Sequence, residues 1–276
     1  MRRGRTVTNS HKAGEENAGR LFHLGPVCVI YQCSKPPGWA RREDRCFMER
    51  EEALRQEICQ VCHLLYERGY VVSNDGNVSA RLGEDRLLIT PSGVGKGRMT
   101  PEMLVVCDLE GNVLAGDRHP SSESGMHRML YRQRPDVQAV VHAHPAMATA
   151  FAICRRPLRE RYLAEMILGL GEVPVTEFAM PSTDAVARSV EPFVQDHSAV
   201  LLANHGALAW GENLWSAFDR LEVVEQTAKI YSAVDRLGGG VELSEEQAEM
   251  LRSMTGFYQQ LARQRTNITK GGDTHD

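Results

Sequence analysis

The spacing of hydrophobic residues changes along the chain, and each spacing predicts a different element. From Met48 onward, apolar residues such as Leu54, Ile58, Val61 and Leu65 recur at helical spacing, which predicts an amphipathic helix opening at Met48. Short apolar stretches separated by glycine-containing turns follow, and these are typical of strands paired in antiparallel hairpins. We predict such strands at residues 77–82, 86–90, 103–109 and 113–115.

The second half of the chain alternates between strand and helix patterns. Strands are predicted at residues 137–144, 173–178 and 199–203, where short apolar runs are bounded by turn residues. Because hairpin strands come first and strands alternate with helices afterwards, the pattern predicts one α/β domain whose mixed sheet is covered on both sides. The predicted helices span residues 121–134, 145–154, 183–196, 213–236 and 244–265.

Residues 1–47 show no sustained strand or helix period, unlike the rest of the chain. We interpret them as a poorly ordered N-terminal extension to a domain at residues 48–265, and residues 266–276 as a C-terminal tail. The arginine-rich start is not predicted to be a targeting peptide, since Glu15, Glu16 and Pro26 interrupt it.

The composition excludes several classes of function. The 32 basic and 36 acidic residues give a net charge of −4, which provides no overall field to attract nucleic acid. No run approaches the roughly 18 apolar residues that a membrane-spanning helix requires. Seven cysteines without a paired framework are typical of reduced thiols. We therefore expect a cytoplasmic protein that acts on a small molecule, with no nucleic-acid or membrane partner.

Cys59 and Cys62 form a Cys-x-x-Cys pair, which can serve as a redox centre or as half of a metal site. The pair lies within a predicted helix, and no second pair follows it downstream. We therefore predict that both residues are core or half-exposed thiols on one helical face.

Histidines lie at the ends of two predicted apolar strands. His142 and His144 close the run at 139–145, and the strand period of two places both imidazoles on one face. His205 follows a similar run at 199–203, and two strand ends in one sheet can converge. Three neutral imidazoles with an open fourth position are the ligand set of a catalytic zinc, so we predict about one zinc ion per chain. The alternative is that these histidines cap strands or bond to buried carbonyl groups.

Glu123 lies where a proline and two serines, Ser121 and Ser122, open a predicted helix. Either serine is expected to be the N-cap, which places Glu123 in the first turn. A carboxylate there is favoured by the helix dipole alone. Next to an open zinc site, the same carboxylate is a candidate general acid and base.

Two glycine-rich turns, at residues 75–79 and 90–97, are candidates for binding an anion. Neither matches the P-loop or the dinucleotide-binding fingerprint. Backbone amides at such turns, together with serine hydroxyls at a helix N-terminus, can surround one phosphate group. Taken alone, such turns are more often simple connections.

Five motifs occur together, in one order. They are Gly-Asn-Val-Ser at 76–79, Thr-Pro-Ser-Gly at 90–93, Pro-Ser-Ser-Glu at 120–123, His-Ala-His at 142–144 and Asn-His-Gly at 204–206. Through them the chain resembles the class II aldolase/adducin family over roughly residues 48–236. The resemblance implies a three-layer α/β/α fold with a central mixed, largely antiparallel sheet. It also implies a homotetramer with active sites at subunit interfaces.

The resemblance assigns a role to each motif. His142, His144 and His205 would bind Zn²⁺, and Glu123 would be the catalytic acid and base. Adducin-type members lack the zinc histidines, so this chain resembles an enzyme more than a non-catalytic interaction module. The residues that would bind the substrate phosphate are Gly76, Asn77, Ser92, Gly93, Ser121 and Ser122.

The implied activity is that of a zinc-dependent class II aldolase, an aldehyde-lyase of carbohydrate metabolism. Such an enzyme cleaves a ketose 1-phosphate, for example L-fuculose 1-phosphate or a 5-deoxy- or 5-methylthio-ribulose 1-phosphate, reversibly to dihydroxyacetone phosphate and an aldehyde. Glu123 favours this branch over the pentulose-phosphate 4-epimerase branch, which has aspartate at the corresponding position. A methylthioribulose-1-phosphate dehydratase is a further alternative, since that branch shares the zinc ligands, the glutamate and the phosphate loops.

Overall fold

The computed structural model describes residues 42–159 and 162–254, so the predicted tail and most of the predicted extension lie outside the described residues. Residues 245–254 are helical as far as they are described. The strands are β1 (Asn77–Arg81), β2 (Arg86–Ile89), β3 (Val105–Asp108), β4 (Val113–Ala115), β5 (Ala139–Ala143), β6 (Ala199–Leu202) and β7 (Gly206–Gly211). The helices are α1 (Arg42–Glu67), α2 (Ser124–Gln133), α3 (Ala146–Ile153), α4 (Ala164–Gly169), α5 (Asp184–Val190) and α6 (Leu214–Arg236).

The strands of the described ranges form one seven-stranded sheet in the order β4-β3-β2-β1-β5-β7-β6, and neighbouring strands are antiparallel. The four predicted hairpin strands are confirmed, the first three with shorter bounds and β4 with the predicted bounds. The predicted strand at 173–178 is wrong: Val175 makes a single parallel bridge to Leu201, because Pro174 has no N–H to donate to a ladder. Strand β7 was not predicted.

Helices cover both faces of the sheet, which gives the three-layer α/β/α fold. One layer contains α1, α3 and α6, and the other contains α2 and α5. The strand period of two divides the side chains between the layers: Val78 and Ala80 of β1 join the first core, while Leu87 and Ile89 of β2 join the second. No helix in the described part of the chain combines the length and apolar character needed to cross a bilayer.

Two predicted helices begin three or more residues from their predicted starts, and helix α4 was not predicted. Helix α1 begins at Arg42, six residues before Met48. Helix α2 begins at Ser124 with Glu123 as its N-cap, so the prediction of a serine N-cap is wrong. The backbone N–H of Ser121 instead donates to the carbonyl of Thr90 (3.1 Å), which holds the preceding segment out of the helix.

The interpretation of Cys59 and Cys62 as core thiols is confirmed. Both side chains are buried on α1. Burial raises the pKa of Cys59 to about 12 and raises that of Cys62 further. These thiols are therefore unreactive at neutral pH, since the thiolate is the reactive form.

Removal of residues 1–47 is expected to leave the fold and the turnover intact. Phe47 and Met48 are exposed, and the first buried side chain in the described part of α1 is Ile58. Thermal unfolding and kcat of the shortened chain would be compared with those of the full chain. A chain beginning at Val61 is the control that should not fold, because it lacks Ile58. Dissociation of an oligomer on removal of residues 1–47 would contradict the expectation.

Candidate metal centre and acid–base site

Three histidine side chains meet where the end of β5 lies beside the β6–β7 hairpin. Ala143, the last residue of β5, pairs with Ala207 near the start of β7. His142 precedes Ala143, His144 follows it, and His205 lies in the hairpin turn at 203–205. The centroids of the three imidazole rings are between 4.8 and 5.0 Å apart. The convergence of two strand ends predicted from the sequence is therefore present.

Contacts to the Nδ1 atoms of His142 and His144 orient the Nε2 atoms of these two rings toward each other. Nδ1 of His142 donates to the carbonyl of Ala207 (2.9 Å), and Nδ1 of His144 faces the carboxylate of Asp75 (3.6 Å). Burial lowers the pKa of both histidines, so both are neutral near pH 7. Their Nε2 atoms are 3.1 Å apart, close to the roughly 3.3 Å between two nitrogens that share a tetrahedral zinc at about 2.0 Å.

This donor set fits a divalent metal ion. The ligand nitrogens of His142, His144 and His205 all lie within 4.8 Å of one another. Two Nε2 lone pairs that face each other repel unless a cation or a proton lies between them. Contacts such as that from Asp75 to His144 are the kind that fix the tautomer and ring orientation of a metal-bound histidine.

Glu123 lies against two of the three histidines. Its Oε1 is 3.1 Å from Nε2 of His205, and its Oε2 is 3.4 Å from Nε2 of His142. Oε2 also accepts a hydrogen bond from Nδ2 of Asn77 (2.9 Å). Burial alone would raise the pKa of Glu123, but the hydrogen bond from His205 and the nearby imidazoles lower it to about 2.

The carboxylate of Glu123 is directed at the histidines rather than at its own helix. Glu123 is the N-cap residue of α2, yet its side chain makes no capping hydrogen bond. A role as a simple helix-dipole charge therefore does not account for its orientation. An ionised carboxylate beside an open metal site is placed to accept a proton.

The hairpin turn that presents His205 requires an unusual backbone. Asn204 has φ of 55°, and Arg155 donates to its Oδ1 (2.5 Å). A Cβ atom on Gly206 would lie 2.5 Å from the carbonyl oxygen of Ala143 and 2.6 Å from Cδ2 of His144. Only glycine at this position allows the turn to approach β5 closely enough to complete the cluster.

Substitution Gly206→Ala is expected to weaken metal binding and to destabilise the fold by about 1–3 kcal/mol, the usual cost of overpacking. The added Cβ must push His144 or the end of β5 aside. Metal titration and thermal unfolding would measure the two effects. Gly169→Ala is the matched control, since nothing lies within 4 Å of its added Cβ and neither property should fall. Equal metal affinity in the two variants would contradict the expectation.

Two of the predicted phosphate-binding segments lie side by side. The N–H of Ser92 donates to the carbonyl of His119 (2.9 Å), and the N–H of Ser121 donates to that of Thr90 (3.1 Å). These bonds hold the turn at 90–97 next to the N-terminus of α2. The structure thus brings together two groups of candidate residues that are about 30 positions apart in the sequence.

The candidates in these segments differ in exposure. Ser92, Gly93 and Ser122 are exposed, whereas Ser121 is buried and its Oγ accepts from the N–H of Glu123 (3.3 Å). The hydroxyl of Ser122 lies 2.9 Å from that of Ser182, which has φ of 61°. Ser182 was not predicted, because it lies 60 positions after Ser122 and outside the five motifs.

The remaining two candidates, Gly76 and Asn77, lie beside His142 of strand β5. Gly76 has φ of 70°, and a Cβ there would lie 2.7 Å from the carbonyl oxygen of His142. Asn77 is buried, and its amide bonds to both Glu123 and His127. The side chain of Asn77 is therefore already engaged in orienting the carboxylate.

Two further residues near the site were not predicted. His127 of α2 is fully buried, and its Nε2 lies 2.5 Å from Oδ1 of Asn77. Glu225 of α6 is buried and accepts from the N–H groups of Met147 and Ala148. It thereby stabilises the start of α3, two residues after His144. Nothing in the sequence distinguishes Glu225 from the other acidic residues of α6.

The fold is that of a known family. The family model described as the Class II Aldolase and Adducin N-terminal domain matches residues 56–232, and the chain belongs to this family. The resemblance inferred from the five motifs is confirmed.

Similar proteins carry two different enzyme names. A Haemophilus influenzae protein named 3-oxo-tetronate 4-phosphate decarboxylase is 35% identical over 184 residues, 65% of this chain and 87% of that protein. A Methanococcus vannielii protein named L-fuculose phosphate aldolase is 36% identical over 176 residues, which are 63% of this chain and 93% of that protein. A solved structure named L-fuculose 1-phosphate aldolase has a TM-score of 0.68 and 36% identity, and the match covers 73% of this chain and 95% of that structure. The prediction of an enzyme of this family is confirmed, and these names differ in the reaction.

Proposed function

We propose that the protein is a zinc-dependent lyase that cleaves a ketose 1-phosphate by a retro-aldol reaction, releasing dihydroxyacetone phosphate and an aldehyde. The observation that carries the proposal is the carboxylate of Glu123, which lies 3.1 to 3.4 Å from two imidazoles of an open three-histidine cluster. His142, His144 and His205 would hold the zinc. When bound, zinc supplies a Lewis acid that stabilises negative charge on the carbonyl and hydroxyl oxygens of the substrate.

The residues of this chain account for binding and proton transfer. The exposed Ser92, Gly93 and Ser122 would bind the phosphate with amide and hydroxyl donors, together with Gly76, Asn77 and Ser121. When the bond between carbons 3 and 4 breaks, its electrons remain on carbon 3. Glu123, ionised before the reaction, takes up a proton equivalent to the one lost from the hydroxyl of carbon 4 and then delivers it to carbon 3. In the condensation direction the ionised Glu123 removes the same proton from dihydroxyacetone phosphate.

A second candidate reaction is decarboxylation of 3-oxo-tetronate 4-phosphate, which the Haemophilus influenzae relative favours. That substrate is a β-keto acid: its carboxylate is carbon 1 and its ketone is at carbon 3. Loss of carbon dioxide leaves an enediolate whose protonation gives dihydroxyacetone phosphate. The two candidates therefore use the same phosphate half and the same proton transfer, and they differ in the group that leaves.

A panel of ketose 1-phosphates and 3-oxo-tetronate 4-phosphate tests both candidates. We expect dihydroxyacetone phosphate from at least one compound, with an aldehyde for the aldolase or carbon dioxide for the decarboxylase. Conversion of a substrate without dihydroxyacetone phosphate would instead indicate a dehydratase or a 4-epimerase. A lysine-based aldolase would form a Schiff base with its substrate, and borohydride would trap it as a stable adduct. The proposed mechanism needs no lysine, so Lys229 of α6 should carry no such adduct. Turnover by metal-free protein would overturn the proposal.

The assembly is also part of the proposal: a homotetramer whose sites lie at subunit interfaces, with the sugar phosphate as ligand. Phe178 and Met180 are more than half exposed, and they precede Ser182, whose hydroxyl contacts Ser122 at the site. An apolar surface next to the site supports a subunit contact there. Light scattering should give four times the mass of the chain, and a monomer with full activity would contradict the proposal.

A further inference from the structure

A continuous group of polar side chains is buried between β1 and α2. Asn77, Ser79 and Arg81 alternate along β1 and face α2, while Glu123, His127 and Tyr131 are spaced by four along the helix. We call these six residues the polar seam. All but Glu123 are buried, and each buried polar atom of their side chains has a hydrogen-bond partner.

The hydrogen bonds of the polar seam have a single direction. Nδ2 of Asn77 donates to Oε2 of Glu123 (2.9 Å), so the oxygen of the same amide, Oδ1, faces His127 and can only accept. Nε2 of His127 must therefore donate to Asn77 (2.5 Å). Burial lowers the pKa of His127 to about 3, so the ring is neutral and its Nδ1 can only accept.

The same logic fixes the two hydroxyl groups. Ser79 must donate to Nδ1 of His127 (2.7 Å), and this uses its single proton. Tyr131 must then donate to Oγ of Ser79 (2.8 Å). The order of donation runs from Tyr131 through Ser79, His127 and Asn77, and it ends at the carboxylate of Glu123.

Arg81 anchors the far end of the polar seam. Its guanidinium lies over the ring of Tyr131 at 4.9 Å from the centroid. It also donates to the carbonyls of Tyr131 (2.5 Å) and Arg134 (3.4 Å), at the C-terminal end of α2. Helix α2 is thereby held at both ends against β1, the strand that pairs with the His142 strand β5.

We propose that His127 and Asn77 are positioning residues, which hold the carboxylate of Glu123 in one orientation toward the three histidines through this one-way series of hydrogen bonds. The proposal rests on the proposed role of Glu123 in proton transfer. It gives Asn77 a main role different from phosphate binding. Because the series is directional, losses should be larger for residues closer to Glu123.

Exchange of the carbon-bound proton of dihydroxyacetone phosphate with solvent tests the role in zinc-loaded protein. His127→Leu, which cannot hydrogen-bond, should lower the exchange rate on the order of 10- to 100-fold, as losses of outer-shell partners do. His127→Gln should recover part of the rate, because glutamine can both donate to Asn77 and accept from Ser79. Tyr131→Phe should show the smallest loss. Zinc affinity and inhibition by inorganic phosphate should not change in any of these variants.

A matched control separates positioning from stability. Val105→Ala lies in the same core layer and should lower the melting temperature without changing exchange per folded molecule. An exchange rate for His127→Leu equal to that of wild type would overturn the proposal. So would weakened inorganic phosphate inhibition in Asn77→Ala at an unchanged exchange rate.

A second measurement does not depend on the reaction. The ¹⁵N shifts of His127, assigned by their loss in His127→Gln, should show a proton on Nε2 and none on Nδ1. The opposite tautomer or a charged ring would overturn the proposal, because His127 could not then donate to Asn77 and accept from Ser79. If wild-type protein exchanges no proton, the proposed function fails, and this measurement still decides whether the series exists.

Discussion

Glu123→Gln is expected to lower turnover by about 10²- to 10⁴-fold, the usual contribution of a positioned acid or base. Glutamine keeps the shape of the side chain at the N-cap of α2 but cannot carry the proton. Zinc content and inhibition by inorganic phosphate should survive, because Glu123 is neither a proposed zinc ligand nor a phosphate ligand. Steady-state kinetics, metal analysis and phosphate inhibition measure the three properties.

Proton exchange into dihydroxyacetone phosphate isolates the step assigned to Glu123. This exchange requires the zinc, the phosphate-binding residues and the base, but no aldehyde. It should vanish in Glu123→Gln. Glu110→Gln is the control, since Glu110 is exposed on the turn between β3 and β4 and its exchange should equal that of wild type. Exchange at the wild-type rate in Glu123→Gln would show that the base lies elsewhere.

His205→Ala should lose both zinc and turnover. It removes one of three ligands, so the loss of zinc affinity should exceed the roughly 10- to 100-fold cost of removing an outer-shell partner. Chelation of the wild-type protein should likewise abolish turnover, and added zinc should restore it. Equilibrium metal titration measures the affinity directly.

His197→Ala is the matched control for the metal prediction. His197 precedes strand β6 in the chain and His205 follows it, and of the two only His205 belongs to the cluster. His197→Ala should retain about one zinc per chain, the same content as wild type. Retention of zinc by His205→Ala would remove the basis for the proposed centre.

The candidate site was largely predictable because it depends on residue types at short spacings in the sequence. A strand period of two predicted that His142 and His144 would lie together, and their Nε2 atoms are 3.1 Å apart. His205 was predicted to join them because it follows a similar apolar run. The imidazoles and Glu123 do converge, at distances that no spacing rule provides.

The errors occurred where pairing partners overrode local propensity. Strand β7 has glycine at both ends, so it looked like a turn, yet it pairs with both β5 and β6. The run at 173–178 has the right composition for a strand, but Pro174 prevents a ladder. Bonds to the turn at Thr90 delay the start of α2 to Ser124.

The sequence by itself determined the family, the order of the hairpin strands, the three-histidine motif and the candidate acid–base residue, since each depends on residue type and short spacing. The tertiary structure alone decided which way Glu123 points and what holds it there. Asn77 and His127 are 50 positions apart, and their contact exists only because α2 packs on β1. A buried polar group must find its partner in space, and the partner's place in the sequence does not reveal it.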